Sequence, residues 1–181
     1  MKKQSRKMKV FGLSLLILCL MAAVSTGIAA APSCVALTDP TRVFPLPQGQ
    51  YSPYESGFGD GRSFGGARSH EGIDIIAPEG TPVYSVCNGV VTNKGWLTLG
   101  GWRIGVMDAF GVYHYYAHLS QYADLEVGDP VSAGQLLGYV GSTGYGPEGT
   151  SDQMVSHLHF GLYMNDVAFD AYPYLVRWEG K

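Results

Sequence analysis

The stretch VSHLHFGLY, residues 155–163, combines the pattern of a β-strand with two histidines one residue apart. In a strand, residues i and i+2 point to the same face, roughly 6–7 Å apart. His157 and His159 therefore share one face, while Leu158 and Phe160 point to the other face and into a core. Two imidazoles on one face are able to serve a common centre. The stretch thus predicts both a half-buried strand and a functional site.

Short apolar runs of the same kind recur along the rest of the chain. They are β-branched and aromatic, and they alternate in polarity instead of repeating every 3.6 residues. Glycine-containing turns separate them, and the chain as a whole has 25 glycines and 12 tyrosines, as expected of a β-rich domain with many turns. The runs are IDIIA, TPVYSV, GVVTN, WRIGVMDAF, VYHYYAHL and LLGYVG. We predict a mostly β fold in which a short helical turn occurs only at AYPYLVRW, residues 171–178.

The first thirty residues differ from the rest of the chain. Five basic residues precede an almost wholly apolar run, Val10–Val24, and the small residues of STGIAAAP follow. This three-part layout is typical of a secretory signal peptide, with cleavage expected after Ala30. The alternative is an uncleaved signal anchor, since no charge occurs from Val10 to Thr38 and a bilayer core is only about 30 Å thick. Either interpretation places the rest of the chain outside the membrane.

Residues 31–50 are rich in proline and small polar residues, so we expect them to form a lead-in segment before a domain at 51–181. Without the leader, seven basic residues remain against 15 acidic ones, a formal charge of −8. This balance argues against a nucleic-acid partner. Cys34 and Cys87 also remain, and an oxidising exterior would allow them to pair. The chain has no CxxC pattern, which argues against cysteine-based metal binding.

A second histidine motif, HEGID, begins at His70. On a straight strand His70 and Asp74 would lie about 13 Å apart, too far to share an ion. They cooperate only if the chain bends near Glu71–Gly72, where glycine supplies backbone freedom. Together with one histidine of the HLH pair they would form a set of two imidazoles and a carboxylate. That set is typical of a hydrolytic zinc site with a position open for water, although the spacing alone does not exclude other divalent metals.

A third motif, YYAHLS, contains His118. Simple alternation places His118 on one face of a strand with Tyr116 and His114. His118 and the other histidine of the HLH pair would then transfer protons and stabilise an oxyanion. Tyr116, beside the site, is the predicted substrate contact. A single histidine is more often structural than functional, and we assign His114 to that class.

The combination of these motifs resembles a known family. HEGIDIIAPEGTPVYSVCNGVV, YYAHLS, VGDPVSAGQLLGYVGSTG and HLHFGLY are together similar to the M23 zinc metallopeptidases of the lysostaphin and LytM type, over roughly residues 56–163. The resemblance implies a compact, mostly antiparallel β-sheet domain of the lysostaphin/LytM (duplicated hybrid motif-like) type with a groove over the sheet. The residues that match its Zn²⁺ ligands are His70, Asp74 and His159, and those that match its catalytic histidines are His118 and His157.

The resemblance also implies a function. The family cleaves peptide bonds in bacterial peptidoglycan, so we expect a secreted, zinc-dependent endopeptidase that acts as a monomer on stem or cross-link peptides of the cell wall. SGFGDGRSFGGARSHEG and AYPYLVRWEG are closer to a Gram-positive, sporulation-associated LytH-like subgroup, which implies cleavage between L-Ala and D-Glu. Any contact with the membrane would come from an uncleaved N-terminal anchor.

A non-enzymatic or autoinhibited M23-like module, which binds the wall or regulates a partner, is the alternative. The segment GYGPEGTSDQMVS, residues 144–156, precedes HLH and is long enough to cover or shape the groove.

Overall fold

The structure is a computed structural model that describes residues 37–64 and 66–180. Strands dominate this part of the chain and one helix follows them, so the predicted mostly β class is confirmed. The elements are β1 Gly61–Arg62, β2 Arg68–Ser69, β3 Ile73–Ile76, β4 Pro82–Tyr84, β5 Gly89–Leu97, β6 Gly101–Asp108, β7 Val112–Tyr122, β8 Pro130–Val131, β9 Leu136–Val140, β10 His157–Met164, β11 Val167–Phe169 and α1 Tyr172–Glu179.

Nine of the strands form one antiparallel sheet. Its main path runs β11-β10-β7-β6-β5-β8, while β3 pairs with β10, and β9 pairs with both β4 and β7. Strands β1 and β2 form a separate hairpin. Strand β10 is therefore central, with His159 opposite Asp74 of β3 on one side and opposite Ala117 of β7 on the other. This register brings the HEGID and YYAHLS segments to the HLH pair.

The two faces of β10 have different surroundings, as the alternation of VSHLHFGLY predicts. Leu158, Phe160 and Leu162 are fully buried in the hydrophobic core. Helix α1 covers this core, with the Trp178 ring 6.2 Å from the ring of Phe160 between centroids. The opposite face carries His157 and His159 together with half-buried tyrosines, and it forms the floor of a groove.

Helix α1 is the helical turn expected at residues 171–178. Leu175 and Trp178, three residues apart, are its buried side chains, so the helix is held by one apolar stripe. Arg177 in its last turn is favourable next to the C-terminal end of the helix dipole. The hairpin before it turns at Asn165 and Asp166, which both have positive φ, 51° and 63°. These two residue types tolerate the left-handed conformation that a tight hairpin requires.

The described part of the lead-in segment packs as part of the domain. Leu37 and Leu46 are buried in the same core as the sheet, and the indole of Trp178 donates a hydrogen bond to the carbonyl of Leu37 at 3.2 Å. Residues 37–50 and the following domain therefore share one core.

The predicted leader and Cys34 lie outside the described residues, so the pairing that an oxidising exterior would allow between Cys34 and Cys87 does too. Cys87 itself is buried. No helix within residues 37–64 or 66–180 is long and apolar enough to cross a bilayer.

Candidate metal centre

Three side chains from separate segments converge on one point. Nε2 of His70 lies 3.0 Å from Oδ1 of Asp74 and 3.0 Å from Nδ1 of His159, and this Nδ1 is 2.9 Å from the same Asp74 oxygen. His70 comes just before β3, Asp74 lies on β3, and His159 lies on β10. The antiparallel pairing of β3 with β10 sets Asp74 and His159 directly opposite each other.

A bend at Gly72 brings His70 to the other two groups, as the HEGID motif requires. The physical reason differs from the one expected. Gly72 is not among the glycines with positive φ, so its backbone conformation is open to other residues. A Cβ at this position would lie 2.6 Å from the carbonyl oxygen of Phe160 and 2.7 Å from the ring of His159. Glycine is needed here because there is no room for a side chain.

The protonation states of the three groups favour the binding of a cation between them. Nδ1 of His70 lies 2.9 Å from the carbonyl oxygen of Gly57. The same Nδ1 lies 2.9 Å from Nη2 of Arg62, which only donates, but that Nη2 is closer to Oδ2 of Asp74, at 2.7 Å. We therefore assign the proton of His70 to Nδ1, facing the carbonyl, and Nε2 then directs a lone pair at the centre. Burial by itself raises the pKa of Asp74, but the adjacent imidazoles of His159 and His70 outweigh it and hold that pKa well below its usual range. Lone pairs of an imidazole and a carboxylate thus meet within 3.0 Å, an arrangement that a divalent metal ion stabilises.

Arg62 supports this cluster, and the sequence motifs did not identify it. Its Nη2 donates to Oδ2 of Asp74 at 2.7 Å, the carboxylate oxygen that points away from the two imidazoles. Such a contact fixes the orientation of a ligating carboxylate. The link depends on hairpin β1–β2 folding over β3, and no local sequence pattern reports that packing.

His157 and His118 lie beside the three converging groups, with their ring centroids 4.6 Å apart. Nδ1 of His157 lies 2.8 Å from the carbonyl oxygen of Val155, and Nδ1 of His118 lies 2.6 Å from that of Thr143. Both Nδ1 atoms therefore donate, which leaves each Nε2 as an acceptor. Nε2 of His157 is 3.7 Å from Oδ1 of Asp74.

Both of these histidines are neutral at pH 7. Burial lowers the pKa of His157. Burial, together with the neighbouring imidazoles of His157 and His159, lowers the pKa of His118 to about 3. A neutral imidazole with a free Nε2 is the form that accepts a proton.

The prediction that His118 shares a face with His114 and Tyr116 is wrong. In the β6–β7 pairing, Trp102 lies opposite Leu119, but Ile104 lies opposite Tyr116, so β7 contains an extra residue. His118 has a φ of 62°, which is uncommon for a residue other than glycine. This bulge turns the His118 side chain from the core face to the groove face.

The predicted substrate contact at Tyr116 is also wrong. Its side chain is fully buried, packs 5.2 Å from the Phe160 ring between centroids, and accepts a hydrogen bond from the backbone N–H of Val86. The neighbouring residue Tyr115 points to the groove, with its ring centroid 5.8 Å from that of His159. The alternation of β7 is regular up to Tyr116, because the bulge begins only after that residue. Counting alternate residues from the core positions of this strand therefore identifies Tyr115 as the tyrosine that faces the groove.

His114 has the structural role expected of it. It is fully buried, and its Nε2 lies 3.2 Å from Oδ2 of Asp108 and 3.0 Å from Nη1 of Arg42. These contacts lie on the core side of the sheet, away from the converging groups.

The groove has an aromatic floor and an aromatic side wall. The rings of Tyr113, Tyr115 and Tyr163 lie 6.0–6.3 Å apart on the floor. In the segment before HLH, Tyr145 stacks on His118, with ring centroids 5.7 Å apart and an interplanar angle of 12°. This segment lines the site, and beside it the side chains of Asp74 and His159 keep 25% and 13% of their exposure.

The chain is similar to known proteins. Residues 68–171 match the family described as Peptidase family M23. Over 141 residues the chain is 50% identical to the L-Ala–D-Glu endopeptidase of Bacillus subtilis (strain 168), and this alignment covers 75% of the chain and 43% of that protein. The chain thus spans less than half the length of this curated relative.

Solved structures give the same result. A candidate glycyl-glycine endopeptidase LytM from Ruminococcus gnavus superposes with a TM-score of 0.72 at 43% identity, over 82% of this chain and 64% of that one. A zinc-containing peptidase from Vibrio cholerae superposes with a TM-score of 0.61 at 26% identity, over 72% of this chain and 39% of that one.

Proposed function

Because this chain belongs to peptidase family M23, we propose that it is a zinc-dependent endopeptidase that hydrolyses the L-Ala–D-Glu bond of peptidoglycan stem peptides. The observation that carries the proposal is the convergence of His70, Asp74 and His159 within 3.0 Å of one another, with two neutral histidines beside them. The choice of bond is supported by the 50% identity to an L-Ala–D-Glu endopeptidase.

Zinc is the metal that this set of donor atoms favours. Two imidazole nitrogens and one carboxylate oxygen are typical of catalytic zinc sites, which keep a position open. A structural neighbour from Vibrio cholerae is described as a zinc-containing peptidase. When bound, zinc supplies Lewis acidity, which polarises a carbonyl group and makes water a stronger nucleophile near neutral pH.

The two flanking histidines manage the protons of the reaction. Each presents a free Nε2, so either one is able to accept a proton from the water that attacks the scissile carbonyl. The imidazolium formed in this way then gives its proton to the leaving amine nitrogen as the C–N bond breaks. The other histidine lies 4.6 Å away between ring centroids, and it would stabilise the oxygen of the same carbonyl only as an imidazolium that also carries a proton on Nε2.

We also infer that the chain acts outside the cytoplasm, at the cell wall, as a monomer. The basic start, the apolar run Val10–Val24 and the small residues up to Ala30 support export, either with cleavage or with retention as an anchor. Relatives that act on cell-wall peptides support the location.

The proposal is tested by digesting purified peptidoglycan with the zinc-loaded protein and identifying the muropeptides by mass spectrometry. We expect glycan fragments that end in L-Ala and free peptides that begin with D-Glu, and a chelator should abolish both. Products with other ends would refute the proposed bond. If the zinc-loaded protein digests no wall at all, the chain is the non-enzymatic module considered as the alternative.

A further inference from the structure

Two arginines face each other across hairpin β1–β2. Arg62 is the direct cross-strand partner of Arg68, so the two side chains lie on one face of the hairpin. Like charges in this position are destabilising unless something compensates them. Asp74 compensates Arg62, with 2.7 Å between its Oδ2 and Nη2 of Arg62.

Arg68 lacks such a partner. Within the described residues its guanidinium forms no ion pair, and its Nε is buried without a hydrogen-bond acceptor. A buried donor that is left unpaired is unfavourable, so this arrangement favours an added acceptor. The hairpin therefore presents one uncompensated positive charge in a domain whose formal charge is strongly negative.

The two arginines line a hollow of about 370 Å³ beside the metal centre. No acidic residue belongs to the described lining, which also includes Gly61, Ser63, Phe64, Tyr145, Gln153 and Met154. The hollow adjoins the centre in two places. Arg62 touches Asp74, and the ring of Tyr145 stacks on His118 while it meets Phe64 edge-on at 4.8 Å. A ligand group in this hollow would lie next to the reacting bond.

We propose that the hollow binds the free α-carboxylate of the D-glutamyl residue on the amine side of the scissile bond, with Arg68 as its main ligand. This inference rests on the proposed function. In a stem peptide the D-glutamyl residue continues the chain through its γ-carboxyl group, so its α-carboxylate is free. The carboxylate carbon is attached to the Cα that carries the scissile nitrogen, about 4 Å from the scissile carbonyl carbon. A guanidinium matches a carboxylate with two parallel hydrogen bonds.

The carboxylate would also determine which bonds are cut. A glycyl-glycine bond offers no carboxylate at this position, so a glycine bridge would leave the guanidinium of Arg68 without an acceptor. A site built to bind a polar group rejects substrates that lack it more strongly than an apolar pocket rejects a wrong shape. The hollow would therefore favour stem peptides over glycine bridges.

Binding of the leaving fragment tests the inference without requiring turnover. The probes are the dipeptide γ-D-Glu-L-Lys with an amidated C-terminus and the same dipeptide with its α-carboxylate converted to a carboxamide. Calorimetry on the zinc-loaded protein should show at least tenfold tighter binding of the carboxylate form, as expected for charge-assisted hydrogen bonds. In R68Q the affinities for the two dipeptides should agree within about twofold. R68K keeps the charge but loses the two parallel hydrogen bonds of the guanidinium, so its preference for the carboxylate form should lie between those of R68Q and the unmodified protein.

R177Q is the matched control, since it removes the same charge from an exposed position on helix α1. It should keep the preference of the unmodified protein, and thermal melting should show that all variants are folded. A third dipeptide has the α-carboxamide and a free C-terminal carboxylate. It shows whether the hollow binds the α-carboxylate of D-Glu or the C-terminal carboxylate of the dipeptide.

Equal binding of the first two probes, an unchanged preference in R68Q, or tighter binding of the third probe than of the first would each overturn the inference. The result is independent of the wall digestion. If the wall is not digested but R68Q alone loses the preference for the carboxylate dipeptide, the proposed endopeptidase activity is refuted while the proposed carboxylate site is supported.

Discussion

The five histidines of this chain occur in three settings that differ in what each imidazole contacts. His70 and His159 direct one nitrogen each at Oδ1 of Asp74. His118 and His157 use Nδ1 to contact backbone carbonyls and keep Nε2 free, whereas His114 is enclosed by an ion pair in the core. The same side chain is thus suited to holding a metal, transferring a proton or supporting the core, according to its partners.

Replacing His118 separates metal binding from catalysis. We expect H118A to hold about one equivalent of zinc, because His118 is not one of the three converging groups. Its turnover of a stem peptide should fall by roughly 10²–10⁴-fold, the usual contribution of a general acid or base. Zinc content by plasma mass spectrometry and the release of new amino groups provide the two measurements.

H159A is the companion variant, and it should lose both zinc and turnover. Loss of zinc from H118A would make His118 a ligand and not a proton carrier. Unchanged turnover in H118A would remove it from the reaction.

At the scale of elements, the centre depends on the close approach of the segment before β3 to β10. Gly72 lies against the backbone of Phe160 and the ring of His159, with no space between them for a side chain. The antiparallel register of β3 and β10 then places Asp74 opposite His159. The position of a ligand is therefore determined by how tightly two strands pack.

G72A should displace His159 without removing any ligand. The added Cβ would lie 2.7 Å from the imidazole, so we expect zinc affinity to fall by about 10–100-fold, as it does when the supports of a metal ligand are changed. Competition with a zinc-binding dye measures this. G180A is the control, because its nearest neighbour would be 3.8 Å away. Equal zinc affinity in G72A and the unmodified chain would show that β10 moves aside at this point without displacing the His159 ligand.

At the scale of the whole molecule, a buried polar network joins the lead-in segment to the sheet. Arg42 from the lead-in pairs with Asp108 at the end of β6, and both contact His114 of β7. Burial raises the pKa of Asp108, but His114 and Arg42 outweigh it and lower that pKa to about 2. The network lies on the core side, so it stabilises the domain without touching the groove.

Replacing Arg42 should destabilise the fold strongly. R42M leaves the carboxylate of Asp108 buried without its cation, and breaking a buried pair in this way costs about 3 kcal/mol or more. Urea unfolding of the metal-free protein measures the loss. Adding D108N should recover part of it, since the uncompensated charge is then absent.

The pH dependence provides a second measure of the same network. The pKa of Asp108 is depressed in the folded state, so its stabilisation is present above about pH 4, the pKa of an unfolded aspartate, and is lost as pH falls toward 2. R42M should show a smaller loss over this range. The same acid-induced loss in both proteins would mean that Arg42 does not hold the charge of Asp108.

Local periodicity and side-chain chemistry were enough to predict several features of this protein before its structure was known. The alternation of VSHLHFGLY placed Leu158 and Phe160 in the core and the two histidines on the other face, because side chains in a strand repeat every two residues. The same rule indicated the β class, and the AYPYLVRW stretch predicted the helical turn near the end. The histidine and aspartate motifs identified the residues that the fold then brings together.

Features that depend on contacts between distant segments could be recognised only in the folded chain. The bulge in β7 reversed the face of His118 and left Tyr116 in the core, since one extra residue shifts the alternation beyond it. Hairpin β1–β2 placed Arg62 on Asp74 and Arg68 in the adjoining hollow, and the lead-in segment contributed Arg42 to the core. Periodicity describes one strand at a time, whereas register, bulges and packing result from the free energy of the whole assembled core.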